Sequence, residues 1–355
     1  MNWWQRLKKN SLARTGATIL LVFYILAIGA DFFAPYDPYY SQPEGSLLPP
    51  TQVYWRSLEG EFVGPHVYLT TQGPVDLQTG SRMLRIDRQE LSPLGVFVKG
   101  DPYKILGLVP FDRHLFGTSG PGRWNLLGTD EQGRDQLSRL FYGARISLSI
   151  GLVGIAISFP IGMLVGGISG YFGGIIDSIL MRLVEVLMTI PSIYLLVALA
   201  SVLPAGLSSA QRFLLIIAIT SFVRWSGLAR VIRGQVLSIK EREFVQAARA
   251  MGGRPLYIIV RHVLPQTASY VIISATLSIP SFILAESVLS LIGLGIQQPD
   301  ASWGNLLSVA ANPSILVLQP WLVWPPALLI ILTVLSFNLV GDGLRDALDP
   351  RSLRS

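Results

Sequence analysis

The chain contains no cysteine among its 355 residues, which removes disulfides, thiolate metal sites and cysteine nucleophiles together. Histidine is almost as scarce. His66, His114 and His262 are dispersed, without the spacing a metal site needs, so structural roles are expected and no metal ligand is named. No G-x-x-x-x-G-K-[ST] string occurs, so the chain brings no phosphate cradle of its own, and no catalytic residue is assigned. Charge is sparse too: 14% of residues are Asp, Glu, Lys or Arg, where a soluble domain carries about a quarter. The formal charge of +6 points to no nucleic-acid partner, because in an apolar chain the placement of Lys and Arg matters more than their sum.

What the chain has is apolar side chain: 50% of its residues are hydrophobic and the mean hydropathy is +0.48. The excess collects in blocks of about twenty residues, the length of helix that crosses ~30 Å of hydrocarbon. Six spans are expected, at 15–34, 146–170, 184–203, 213–232, 268–294 and 321–339. The cations Arg6, Lys8, Lys9 and Arg14 precede the first, which reads as a retained signal-anchor.

Orientation follows from the short connections. Residues 233–267 carry Arg233, Lys240, Arg242, Arg249, Arg254 and Arg261, whereas 295–320 carry no Lys or Arg. The tail adds Arg345, Arg351 and Arg354. Every basic cluster falls on one side of a six-span chain, so that side is cytoplasmic and holds both termini. The expected organisation is a cytoplasmic start at 1–14, a first span at 15–34, an extracytoplasmic insert at 35–145, a five-helix core at 146–339 and a cytoplasmic tail at 340–355. Within the insert, "HVYLTT", "MLRID" and "GVFVKG", separated by "GP", "TG" and "SP", read as short strands with turns. In "GTDEQGRDQLSRLF", Thr129 and Gln132 form a capping-box pattern, and Leu137, Leu140 and Phe141 make a stripe, so an interfacial helix is expected there.

The connection between the fourth and fifth spans, "EFVQAARAMGGRPLYIIVRHVLP", is longer than a turn requires. Phe244, Ala247, Ala248 and Met251 occupy i, i+3, i+4 and i+7, one face of a helix, with Arg242, Gln246 and Arg249 on the other side. Glu243 at the start and Arg249 near the end suit the helix dipole. Gly252 stands where a helix stop needs positive φ. Pro255 can open a second helix, with Leu256, Ile259, Val260 and Val263 apolar in register until Pro265 stops it. A stub of about eight residues, ~12 Å long, either docks into a groove of another protein or lies on the lipid surface; the spacing alone leaves both open.

This segment resembles the cytoplasmic signature loop of ABC-importer permeases: Glu-Ala-Ala, three residues, Gly, nine residues, Ile-x-Leu-Pro. Ala247, Ala248, Gly252, Leu264 and Pro265 fall in register, while Gln246 replaces the Glu and His262 the Ile. The wording is similar to the peptide/nickel branch. "FFAPYDP", "LLGTDEQGRDQLSRLFYGARISLSIG", "GYFGGIIDSILMR", "ESVLSLIGLGIQQPDASWGNLL" and "FNLVGDGLRDALDPR" all resemble, in order, the C-type permease of dipeptide and oligopeptide importers. Residues 51–125 are longer than the corresponding connection usually is.

The resemblance implies an all-α polytopic membrane protein, a type I ABC importer permease of six transmembrane helices, with an insert of mixed or β character between the first two. It implies a bacterial inner-membrane location, a second homologous permease, two ABC ATPase subunits carrying ATP and magnesium, and an extracytoplasmic peptide-binding protein. Residues 243–251 would be the coupling helix docked on the ATPase and Gly252 its bend. Nickel or an oligosaccharide is the alternative cargo.

Two ionisable groups fall inside spans, where a charge costs ~3 kcal/mol on insertion scales. Glu286, toward the outer end of the fifth, either lines the substrate path or is an interfacial carboxylate. Arg224, deeper in the fourth, faces a cavity, meets a helix partner or snorkels to the cytoplasmic interface. Arg182 and Glu185 make an interfacial pair, and Pro160, Pro191 and Pro280 kink their spans. An ion-driven secondary carrier, the rival class, would need more midplane ionisable groups than these.

Overall fold

Apolar blocks without charge form helices because a backbone in hydrocarbon must satisfy its hydrogen bonds internally. A computed structural model describes residues 3–75, 82–105, 107–204 and 206–348. Among the described residues, five helices are long and apolar enough to cross a membrane, and a bent pair makes up to six. In chain order the helices are α1 (Trp3–Lys9), α2 (Ser11–Ile28), α3 (Gln136–Phe172), the bent pair α4 (Gly174–Thr189) and α5 (Ser192–Ser201), and α6 (Ser209–Ile239). There follow the short α7 (Glu243–Ala250), α8 (Ala268–Leu291), α9 (Trp303–Leu307), α10 (Pro313–Leu318) and α11 (Pro320–Leu348). Arg351 and Arg354 of the expected tail lie outside the described residues, whereas Leu344 and Ala347 continue α11.

The third expected span is broken. α4 and α5 meet at 86°, because Pro191 forces Ile190 before it into extended backbone, φ −82° and ψ 124°. Pro160 and Pro280, by contrast, sit inside continuous helices.

The insert is a four-stranded antiparallel sheet in sequential order, β1 (Tyr54–Arg56), β2 (Phe62–Val75), β3 (Arg82–Ile105) and β4 (Val109–Thr118). "MLRID" and "GVFVKG", read as separate strands, belong to one 24-residue strand. Its first half pairs with β2 and its second with β4, the exchange falling between Pro93, opposite His66, and Leu94, opposite Thr118. The missing proline N–H is thus placed where the ladder changes partner rather than ending the strand.

The helix expected from Thr129 does not form. Gly128 and Gly133 take φ of +70° and +77°, and the turn between them closes on Asp130, whose Oδ1 accepts from the backbone N–H of Gln132 and Arg134 at 2.9 and 3.0 Å. α3 starts at Gln136 and is capped by Asp135, which accepts from the Ser138 N–H and hydroxyl at 2.7 Å each. Burial pushes the Asp135 carboxyl up to about 6, against those hydrogen bonds, which lower it.

The described residues divide into two compact units, drawn from 1–20, 149–289 and 332–355 and from 21–148 and 290–331. In the second, buried Arg139 donates to Gln298 Oε1 and the Pro299 carbonyl at 2.8 and 3.0 Å. The Trp303 indole donates to the Leu140 carbonyl at 3.1 Å. His66 and His114 are buried there among carbonyls and a tyrosine hydroxyl, and no metal cluster occurs among the described residues.

In the first unit α3 presents Gly162, Gly166 and Gly170, spaced by four, to the backbone of α6. A Cβ at Gly162 would meet the Trp225 carbonyl at 2.9 Å and one at Gly170 the Arg233 carbonyl at 2.8 Å; at Gly166 it would come closer still to that of Ala229. This is the small-residue ridge by which membrane helices approach backbone to backbone. Gly166→Ala is therefore expected to cost roughly 1–3 kcal/mol by overpacking, seen as a lowered melting temperature in detergent. Gly234→Ala, with open space around its added Cβ, should be neutral or better.

Candidate functional site

The stub α7 forms because its two ends are both provided for. Arg242 precedes it in extended backbone, Glu243 sits in its first turn and Arg249 in its last. It ends in a Schellman motif: the Gly252 N–H donates to the Arg249 carbonyl and the Gly253 N–H to that of Ala248, both at 3.0 Å, with Gly252 at φ +78°. Gln246 reaches back and donates to the Lys240 carbonyl at 3.0 Å, fastening the stub to the end of α6.

Which face is covered differs from the spacing-based expectation. Val245 and Ala248 are buried, in one cluster with Tyr171 at the foot of α3, Val236 and Ile239 of α6, and Ile258, Ile259, Val263 and Leu264 beyond the bend. Arg249 lies 5.8 Å from the Tyr171 ring. Phe244, Ala247 and Met251 are exposed, Met251 at 81%. The helix is amphipathic twice over: a small inner face secures it to its neighbours, and a separate apolar stripe has no cover among the described residues.

Pro265 does not stop the second segment. The backbone runs from an α-helical turn, Pro255–Ile258, through a π-helical turn, Ile259–Val263, and a 3₁₀ turn, Leu264–Thr267, directly into α8. Widening the ladder accommodates a proline that has no N–H to donate. Leu256 and Val260 are exposed, while Ile258 and Leu264 are buried in their stead.

The linkage upward from the stub is polar as well as apolar. Arg233 donates from Nε and Nη2 to both carboxylate oxygens of Asp177 at 2.6 Å each, a bidentate pair joining α6 to the start of α4. Ser169 of α3 also donates to Asp177. Nothing in the periodicity of either segment pairs these residues, which are 56 apart.

A cavity of about 540 Å³ opens higher in the same unit, walled by Arg224 of α6, Phe159 and Ser158 of α3, and Tyr270, Ser274 and Ser278 of α8. The break at Pro191 contributes Met188, Ile190 and Ser192. Arg224 does not snorkel. Its Nη1 donates to Ser281 Oγ and its Nη2 to the Ser281 carbonyl, both at 2.8 Å, and its guanidinium lies 5.2 Å from the Phe282 ring. Glu286 is fully buried one turn further on and is not among the residues lining the cavity. Arg182 and Glu185 form an exposed pair at 3.3 Å. The kink expected at Pro191 is present as the 86° break, whereas the glycine ridge was missed from sequence, although Gly162-x-x-x-Gly166-x-x-x-Gly170 is a readable signal.

Residues 159–354 match the family described as binding-protein-dependent transport system inner membrane component. Residues 2–50 match the N-terminal TM domain of oligopeptide transport permease C. The dipeptide transport system permease protein DppC of Bacillus subtilis is 35% identical over 354 residues, 99% of this chain and 85% of that protein. The oligopeptide transport system permease protein OppC of Haemophilus influenzae is 44% identical over 228 residues, 64% of this chain and 71% of that one. A solved structure of the MetNI methionine ABC transporter in inward-facing form covers 60% of this chain and 98% of its own, with a TM-score of 0.43 and 20% identity.

Proposed function

The chain belongs to the family of binding-protein-dependent transport system inner membrane components, and from that premise we propose that it is the permease of an ATP-driven importer of peptides. Peptide is the cargo named for its relatives, dipeptide in one and oligopeptide in another. The observation that carries the mechanism is the stub with two faces. A partner that grips Phe244, Ala247 and Met251 moves a body already packed on α3, α6 and the turn into α8, so the displacement reaches the walls of the cavity without passing through a flexible loop.

The partner on that stripe is an ABC ATPase, one of two, with ATP and magnesium bound there and not on this chain. A second, related permease completes the path, and an external binding protein delivers peptide on the opposite side. Both termini and the stub lie in the cytoplasm, where the basic residues collect. The sheet stands outside.

Uptake into vesicles tests this. With the second permease, both ATPases and the binding protein present, labelled trialanine should accumulate when ATP is supplied and stop when the ATPases are omitted. Accumulation that needs no ATPase but collapses with the proton gradient would establish the secondary-carrier reading instead.

A further inference from the structure

Arg224 is a permanent charge inside a span, and a guanidinium stays protonated there. Its partners among the described residues are one serine and one ring: Ser281 takes two hydrogen bonds and Phe282 the face. Five N–H donors are available, and Nε is buried without a hydrogen-bond acceptor. No ion pair among the described residues involves Arg224, and the residues around the cavity include no Asp or Glu. Elsewhere in this unit the same residue type is neutralised, as Arg233 is by Asp177. The cavity thus holds one positive charge with no fixed counter-charge.

The rest of the lining fits a polar solute rather than an acyl chain. Ser158, Ser192, Ser274, Ser278 and Tyr270 bring hydroxyls to the same space, between Phe159 and Phe282. Its volume of about 540 Å³ lies within the range of small-molecule sites, ~300–1,000 Å³.

Building on the importer reading, we propose that this cavity is a transit subsite in which Arg224 takes the C-terminal carboxylate of the peptide, with Ser281 fixing the guanidinium plane. A peptide is a zwitterion, and the path must accept both ends. This chain supplies the cation for one end and, around this cavity, no carboxylate for the other. The amino end is therefore left to hydroxyls here or to the second permease. Binding through a single charge-assisted contact is weak enough to release, which a transit site requires.

Arginine-selective labelling with phenylglyoxal tests the subsite on the whole complex in phosphatidylcholine vesicles, with Arg224 modification read by mass spectrometry. Trialanine should slow labelling of Arg224 by about tenfold, the worth of one charge-assisted contact, whereas trialanine amide should not. Equal protection by both, or by neither, overturns the proposal. So does protection already complete in vesicles containing anionic lipid, which would assign the counter-charge to a headgroup.

In parallel, Arg224→Met should lower ATP-driven trialanine uptake about tenfold, with Arg224→Lys recovering part of it, because charge rather than packing is at stake. Equal losses in the two variants overturn the subsite. The two layers fail separately: wild-type uptake with unprotected Arg224 removes only the subsite, and absent wild-type uptake removes the importer reading beneath it.

Discussion

Gly252→Val is expected to abolish ATP-coupled uptake while leaving the chain inserted in the membrane. Gly252 ends the stub at φ +78°, and a Cβ built on it meets nothing within 4 Å. The loss is therefore purely conformational. An ordinary L-residue in the left-handed region costs ~1–2 kcal/mol, and a β-branched one more, since its χ1 choices are narrowed as well. Each 1.4 kcal/mol is tenfold, so the bend that sets the stub's angle becomes a minority state or the stub unwinds from its C-terminus. The order of effect identifies the cause. Gly252→Asn, which tolerates this conformation, should retain most uptake, Gly252→Ala should be intermediate and Gly252→Val worst. A ranking by side-chain volume alone, with Asn worse than Ala, would assign the position to a contact surface instead of a bend. Gly253 behaves differently, because a Cβ there would lie 2.8 Å from the Ala248 carbonyl. Its substitution should fail even as Ala.

How much of this was legible before the fold was known depends on the range of the interaction concerned. The apolar blocks, the β-rich insert, the eight-residue stub and its glycine stop are local or periodic features, and periodicity is visible in one sequence. The reading failed at two local details, a turn and a proline, and where a neighbour distant in the chain decides. Thr129 looked like a cap, but the Asp130 side chain and two glycines close a turn there and Asp135 caps the helix six residues later than expected. Pro265 looked like a stop, yet a π-helical turn carries the backbone through it. For Arg224 three placements stood open from sequence, and the helix partner that decides between them, Ser281, is 57 residues away on α8. For the stub, the spacing identified Phe244, Ala247, Ala248 and Met251 as one face, whereas packing splits them: Ala248 turns inward with Val245, and the other three stay outside. An eight-residue pattern cannot say which of two adjacent alanines the rest of the protein claims.

That split makes the two alanines the sharpest probe of what the stub is for. Ala248 is 6% exposed and packed in the cluster that includes Ile232, Val236 and Ile259. Ala248→Glu buries an unpaired carboxylate, at a cost of roughly 3–5 kcal/mol, and should lower the yield and melting temperature of the isolated chain. Ala247 is exposed between Phe244 and Met251. Ala247→Glu should leave the isolated chain as stable as wild type, because nothing among the described residues covers that side chain. If the stub docks on an ATPase as proposed, the same carboxylate is trapped in that interface, so co-purification of the ATPases should fall by about a hundredfold and uptake with it. If the stub instead lay on the lipid surface, Ala247→Glu would weaken neither, since a carboxylate at the interface can turn to water. Identical behaviour of the two variants would mean that the stub has one working face rather than two, and that a push on it is not passed to α3 and α6 through Val245 and Ala248.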